Sequence, residues 1–221
     1  MTGNEKAQLA LPTYVPEPDP ATADRLVGAH YFPGWKPGEH WGWAKLTEGG
    51  RIVYPERKPI LGWYDESNPE VTDWEVKWAL EHGISFFVYC WYRKRENLGK
   101  RLGVGDLRLG HAIHEGLFQC RYKEKFRFAI MWENQGAGME SSRDLEENLT
   151  PFWCEQYFSK PYYLRIGGRP VLFVYQLDKL IQQAGGVDEA RKALDAVRRV
   201  AAREGVGDLQ ILCEYRGTSP E

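Results

Sequence analysis

Residues 68–91, NPEVTDWEVKWALEHGISFFVYCW, decide the class of fold. Asn68 followed by Pro69 opens a helix, because the Asn side chain accepts from a free first-turn amide and proline's fixed φ suits the first helical position. Val71, Trp74, Trp78 and Leu80 then recur near helical spacing until Gly83 stops the segment, which predicts a helix over 68–82. The run that follows, Ile84–Trp91, is short, aromatic and β-branched, and nearly continuous in its apolar character. Continuous rather than alternating hydrophobicity marks a strand covered on both faces, as in a parallel sheet.

Working outward, the same unit recurs. Apolar runs stand at Leu26–Pro33, Phe126–Trp132, Pro170–Gln176 and Leu209–Tyr215. Helical patterns lie between them at Asp106–Phe118, Ser141–Phe158 and Val187–Glu204, the last rich in Ala and Arg and closed by Gly205. Strand follows helix throughout, so the class is α/β with crossover connections. Two architectures share that order, a (β/α)₈ TIM-type barrel and an open doubly wound sheet. The open sheet usually carries a glycine-rich phosphate turn after its first strand. Here that strand runs into YFPGWKPGEHWGW (31–43), and Gly103 and Gly105 give only a faint echo of such a turn. A barrel is therefore expected.

The strands begin near residues 26, 84, 126, 170 and 209. Eight units at that spacing would need roughly 370 residues, within the range of such barrels. With 221 residues the expectation is an incomplete barrel of about five strands and four helices over 26–221. The reading frame is accordingly expected to continue beyond residue 221. Residues 1–25, proline-rich and polar, are expected to form a disordered or extended lead-in.

Composition removes several functions. Hydrophobic residues make up 43% and charged residues 27%, enough for a packed core, and 29 basic residues against 31 acidic leave a net charge of −2. The chain lacks a basic block, which argues against a nucleic-acid partner, and no apolar run approaches the ~18 residues of a membrane span. No secretory leader is visible, and a cytoplasmic location is the expectation. Cys90, Cys120, Cys154 and Cys213 are widely spaced and read as free thiols, mostly buried. No metal-ligand spacing, serine elbow or cofactor motif stands out, so neither a metal nor a cofactor is expected.

What the chain has in excess is aromatic residues: 9 Trp, 12 Tyr and 9 Phe. Several gather at strand ends and in the long connection 34–67, which carries Trp35, His40, Trp41, Trp43, Trp63 and Tyr64. Strand carboxyl ends and the loops after them build the sites of parallel α/β folds. Aromatic platforms suit the C–H faces of sugars, and planar polar groups suit their hydroxyls. On this basis His30, Tyr31, Trp35, Trp63, Asp65, Tyr89, Trp91, Trp132, Asn134, Gln135 and Tyr175 are candidate glycan-binding residues. Asp65 has a simpler role open to it, capping a local turn, and His82, His111 and His114 are expected to be surface or packing residues. Glu133 and Glu214 each end an apolar strand, where partial desolvation favours acid–base work, and are the candidate catalytic pair.

Three blocks carry a family resemblance. LGWYDESNPEVTDWEVKWALEHGISFFVYCWY (61–92), GAHYFPGW (28–35) and YYLRIGGRPVLFVYQ (162–176) are similar to segments of WbsX-type proteins, within the glycoside hydrolase family 99-like group. The resemblance spans roughly residues 27 to 215 and marks the chain as an amino-terminal portion. It implies a (β/α)₈ barrel acting on glycans, with endo-acting mannosidases and mannanases among its relatives. There are departures. Trp132-Glu133-Asn134-Gln135 places Glu and Gln where the family has Ala and Glu, and HWGWAKLTEGG (40–50) replaces an early Phe-x-Glu-Trp motif. The paired glutamates of the family 99 hydrolases would fall beyond the fifth strand, so Glu133 and Glu214 inherit no role from them. The expected function is a glycoside hydrolase-like domain acting on a glycan or polysaccharide by carboxylate chemistry. A glycosyltransferase of polysaccharide biosynthesis and a catalytically inactive glycan-binding module are the alternatives, and oligomeric state is left open.

Overall fold

The computed structural model describes residues 14–38, 42–48, 51–52 and 54–214. His40, Trp41 and Tyr215, noted above, lie outside them. Five parallel strands, β1 (Gly28–Tyr31), β2 (Phe86–Arg93), β3 (Arg127–Trp132), β4 (Arg169–Val174) and β5 (Gln210–Cys213), lie side by side in chain order. Two short antiparallel strands extend the sheet to seven: Leu107–Arg108 on β2 and Arg165–Ile166 on β4. Among the described residues neither β1 nor β5 has a strand on its outer edge, so the barrel is unclosed.

Helices fill the crossovers. α1 (Pro69–Glu81) joins β1 to β2, and its opening is as read from the sequence: Asn68 Oδ1 accepts from Glu70 N at 3.0 Å, with Pro69 next. A single π-helical stretch, Ala112–Leu117, serves the next crossover. The third, α2, runs continuously over 142–158 and alternates between α and π hydrogen bonding. Between β4 and β5 stand two helices, α3 (Leu177–Ala184) and α4 (Val187–Arg203), where one was expected. The turn between them uses Gly185 (φ 94) and Gly186 (φ 140), backbone angles that a side-chain-bearing residue rarely adopts. Packing two short helices into one crossover needs that sharp turn.

The lead-in is tied down from Tyr14 onward. Tyr14 donates its hydroxyl to Asp73 Oδ2 at 2.5 Å, Val15 is buried, and its carbonyl accepts from Tyr122 Oη at 2.7 Å. Asp73, fully buried on α1, also accepts from the amides of Arg121 and Tyr122. One carboxylate thus joins the lead-in, the first helix and the segment before β3.

Register assigns each strand residue to a side. The partners Tyr89, Ile130 and Leu172 fall on one line, as do Trp91, Trp132 and Val174. All are buried by the helices. Trp91 Nε1 donates to Tyr157 Oη on α2, and Trp153 of the same helix packs edge-on against Trp91 and tilted against Trp132. The other parity, Phe86–Val88–Cys90–Tyr92 on β2 and Met131–Glu133 through β3, faces the concave side that a closed barrel would enclose.

Candidate functional site

Continuing the register one residue past β3, β4 and β5 gives, with Tyr92 near the end of β2, a row on the concave side: Tyr92, Glu133, Tyr175 and Glu214. The backbone confirms the level, since Glu133 N bonds to Trp91 O, Tyr175 N to Trp132 O and Glu214 N to Val174 O. The row crosses four adjacent strands at their carboxyl ends. Burial pushes the Tyr92 phenol well above its usual range, and the neighbouring Cys90, Glu133 and Tyr175 push in the same direction. From the far side, His30 of β1 reaches Glu214, with Nε2 3.4 Å from Oε1. Glu133, Glu214, His30 and Tyr175 are therefore brought together on one face.

Glu133 is held by its own loop. Its Oε1 accepts from Gln135 N at 3.0 Å and its Oε2 from Gly136 N at 3.1 Å. The loop is anchored in turn by a buried ion pair. Arg93, ending β2, donates to Asp144 Oδ1 at 3.0 Å, Asp144 Oδ2 at 2.6 Å and the Gly138 carbonyl at 2.7 Å. Burial works to raise the Asp144 carboxyl, but hydrogen bonds from Arg93, the Glu140 amide and Asn148 outweigh it and hold the group below its usual range. The Glu133 carboxylate thereby faces a cavity of about 500 Å³ whose other walls include Tyr92, Lys94, Arg95 and Arg108.

Several sequence candidates lie elsewhere. Tyr89, Trp91 and Trp132 are 0–2% exposed and point into the helix layer, so they are core residues and offer no sugar platform. Asn134, also fully buried, clasps the next strand end: its Nδ2 donates to Gln176 O and its Oδ1 accepts from Gln176 N, at 2.8 and 2.9 Å. Asp65 takes the simpler role, accepting from the amide and hydroxyl of Ser67. Gln135 is exposed and contributes its backbone amide to Glu133. Trp35 and Trp63 both pack on Trp43, at ring separations of 4.5 and 5.2 Å, and Trp43 Nε1 donates to Tyr64 O. This aromatic nest orders the long connection; Trp35 alone of the two lines a recess, of about 180 Å³, together with His30 and Tyr31.

Tyr31 faces the helices, packs on Phe87 and Tyr89, and donates its hydroxyl to Glu75 Oε2 at 2.9 Å. Glu75 lies in a polar knot that sequence reasoning missed. Burial, then the charge of nearby Glu66, raises its carboxyl to about 8, against the opposing Tyr31 hydrogen bond. Glu66 is 1% exposed, accepts from Trp35 N at 2.8 Å and lies 3.5 Å from His111 Nε2. His114, expected to pack, is half-buried against Phe118 and Tyr157, and burial lowers its imidazole to about 4.

Tyr92, Lys94, Arg95 and Arg108, which line the cavity beside Glu133, are absent from the candidates read from the sequence. A signal for Tyr92 existed: two residues beyond Cys90, it shares the side that Glu133 occupies once the strands are put in register. Arg108 had no local signal, because the hairpin that sets it opposite Tyr92 spans a long loop. Among the described residues, no cluster of three or more His, Cys, Asp or Glu side chains is arranged to hold a metal ion, and no helix is long and apolar enough to cross a membrane. None of the four cysteines forms a disulfide, and Cys120 and Cys154 are buried.

No protein-family model matches the chain. Among curated proteins, the uncharacterised protein WxcX of Xanthomonas campestris pv. campestris strain B100 is 26% identical over 181 residues, 74% of this chain and 25% of that protein. WxcX of a second strain of the same pathovar is 24% identical over 174 residues, covering 71% and 25%. The chain thus spans about a quarter of the length of the curated relatives it matches. Among solved structures, the family 99 endo-alpha-mannosidase of Bacteroides thetaiotaomicron aligns with a TM-score of 0.50 at 13% identity, over 89% of this chain and 57% of that one. That likeness is one of fold: the chain carries a family 99-like α/β barrel in unclosed form.

Proposed function

We propose that this chain supplies part of a carbohydrate-active, glycosidase-like barrel in which Glu133 and Glu214 act on a glycosidic bond. The observation that carries the reading is the concave row Tyr92–Glu133–Tyr175–Glu214, with His30 against Glu214. The two carboxylates stand two strands apart, about 10 Å between backbones at the usual strand spacing. That span leaves room for a sugar ring and a water between them, the arrangement of carboxylate-driven glycoside hydrolysis. In this reading Glu133, accepting on both oxygens from loop amides, is the base that activates the water. Glu214, with an imidazole beside it to exchange a proton, is the acid. Tyr175 lies between them as the contact for the sugar bound there, and the resemblance to WbsX-type proteins points to a polysaccharide as substrate.

A second reading, a glycan-binding module, is favoured by one observation: amide donors already occupy both Glu133 oxygens. The two part on a single substitution. Incubating the intact-length protein with mannans and bacterial polysaccharides should give cleavage that falls by about 10²–10⁴ in Glu133→Gln if the group works as an acid or base. A variant that binds and cleaves like wild type removes Glu133 from the chemistry. Wild-type protein that neither binds nor cleaves any glycan sinks both readings.

A further inference from the structure

The lining of the 500 Å³ cavity beside Glu133 brings together Glu133 and Glu96 with Lys94, Arg95 and Arg108. The three basic side chains project from a segment that folds by its own backbone bonds. Lys94 N donates to Asp106 O at 3.0 Å, Gly103 N to Asp106 Oδ2 at 2.8 Å, and Asn97 Nδ2 to Asp106 Oδ1 at 3.0 Å. The Asp106 carboxylate is consumed by this work. Glu96, the remaining acid on the cavity wall, makes no ion pair with any of the three cations, and Arg93 is neutralised internally by Asp144. Among the described residues no carboxylate pairs with Arg95 or Arg108.

The placement of Arg108 is enforced. It lies opposite Tyr92 in the antiparallel ladder, and ladder partners share a side, so it projects toward the concave row. The next residue, Leu109, is buried at 5% and holds φ at +60°, the one non-glycine residue with positive φ among those described. Such a conformation costs of order 1 kcal/mol or more in a branched residue and persists only where the surroundings impose it. It turns the chain at once from the short strand into the π-helical stretch, which fixes where the strand ends and hence where Arg108 sits.

We propose that this wall is a subsite for an anionic substituent of the glycan, a sugar carboxylate or phosphate, set beside the bond that Glu133 addresses. The proposal rests on the glycan reading above and narrows it to acidic glycans. Two guanidinium groups at one recess, beside a Lys94 ammonium that donates to the Gly105 carbonyl at 2.7 Å, suit a charged oxygen pair, which each guanidinium can hold through two parallel N–H donors. A neutral sugar at the same place would leave the guanidinium groups without a counter-charge.

Three probes on one backbone test it: mannotriose, its analogue oxidised at C6 to a terminal uronate, and its 6-phosphate, titrated by calorimetry into the whole protein at low and moderate salt. The uronate, the phosphate or both should bind about ten-fold or more tightly than the neutral triose, the gain expected of a charge-assisted contact. That preference should shrink as salt rises, and which of the two binds better identifies the natural substituent. In Arg108→Gln and in Arg95→Gln, both exposed positions, the preference should fall toward unity, while Arg191→Gln on the outer face of α4 should keep it. Equal affinity for all three probes overturns the acidic subsite and leaves the glycan reading standing. A preference unchanged in both arginine variants also overturns it. If no probe binds at all, the glycan reading falls and the subsite falls with it.

Discussion

The Arg93–Asp144 pair holds the loop carrying Glu133 to the end of β2, and its energetics can be worked from the coordinates. Both side chains are 1% exposed. Replacing Asp144 by Ala deletes the acceptor for two guanidinium donors, for the Glu140 amide and for Asn148. Arg93 would keep the Gly138 carbonyl and a distant Asn97 carbonyl, and its Nε already lacks a partner. An uncompensated buried guanidinium costs about 3–5 kcal/mol. Against the ~5–15 kcal/mol that stabilises an ordinary domain, this is a large share. In a chain of this size it corresponds to a drop in Tm of roughly 6–20 °C. Urea unfolding at pH 7, followed by tryptophan fluorescence, should report the same loss as a lower midpoint with an unchanged slope. The double variant Arg93→Met with Asp144→Leu should regain most of it, because the buried charges leave together. The Asp144 carboxyl lies below its usual range in the folded state, so its stabilisation is present above the unfolded value near 3.9 and vanishes as pH falls through the folded one. The penalty of Asp144→Ala must therefore shrink toward acid. A loss under about 1 kcal/mol at pH 7, or a double variant no more stable than either single one, refutes the reasoning.

The Glu75 knot has the opposite sign. With a folded value of about 8, the native state keeps a proton that the unfolded chain releases near 4.5, so stability declines as pH rises between the two. The decline is up to about 4–5 kcal/mol. Glu75→Gln should flatten that slope and stabilise the protein at pH 8.5 more than at pH 5; identical pH–stability curves for variant and wild type would exclude a protonated Glu75. Asn134→Ala strips two hydrogen bonds from the half-buried Gln176 backbone and should cost about 1–3 kcal/mol in urea unfolding, a figure that a substrate-contact role alone would not produce.

The strands were legible because each is short, apolar on both faces and bounded by turn residues. The same property hid the site. In a strand that alternates, polarity marks the side facing water; in Ile84–Trp91 nothing distinguishes Tyr89 from Cys90, and the larger aromatic rings drew attention to the helix-packing side. Glu133 and Glu214 stand out in the sequence because each ends an apolar strand, and the register sets both on the concave side. Asn134, the next residue, is fully buried and clasps Gln176 through two bonds, which the sequence does not reveal. The helix at 177–184 escaped notice because it follows β4 without a capping side chain and ends at a paired glycine that reads as loop. Arg108 depends on a ladder to Tyr92, sixteen positions away, and no local pattern carries that information.

The division of strand residues between two sides has a consequence for how such a protein can change. The heavy aromatic packing, from Tyr89 and Trp91 through Trp132 to the helix at 142–158, is confined to one side of each strand. Tyr92, Glu133, Tyr175 and Glu214 occupy the other, one position along. Substituting any of the four leaves that interlocked layer untouched. The side chains on the concave side can therefore drift while the scaffold holds still, so that, on the proposed reading, two relatives with nearly the same core would differ in the glycan they take.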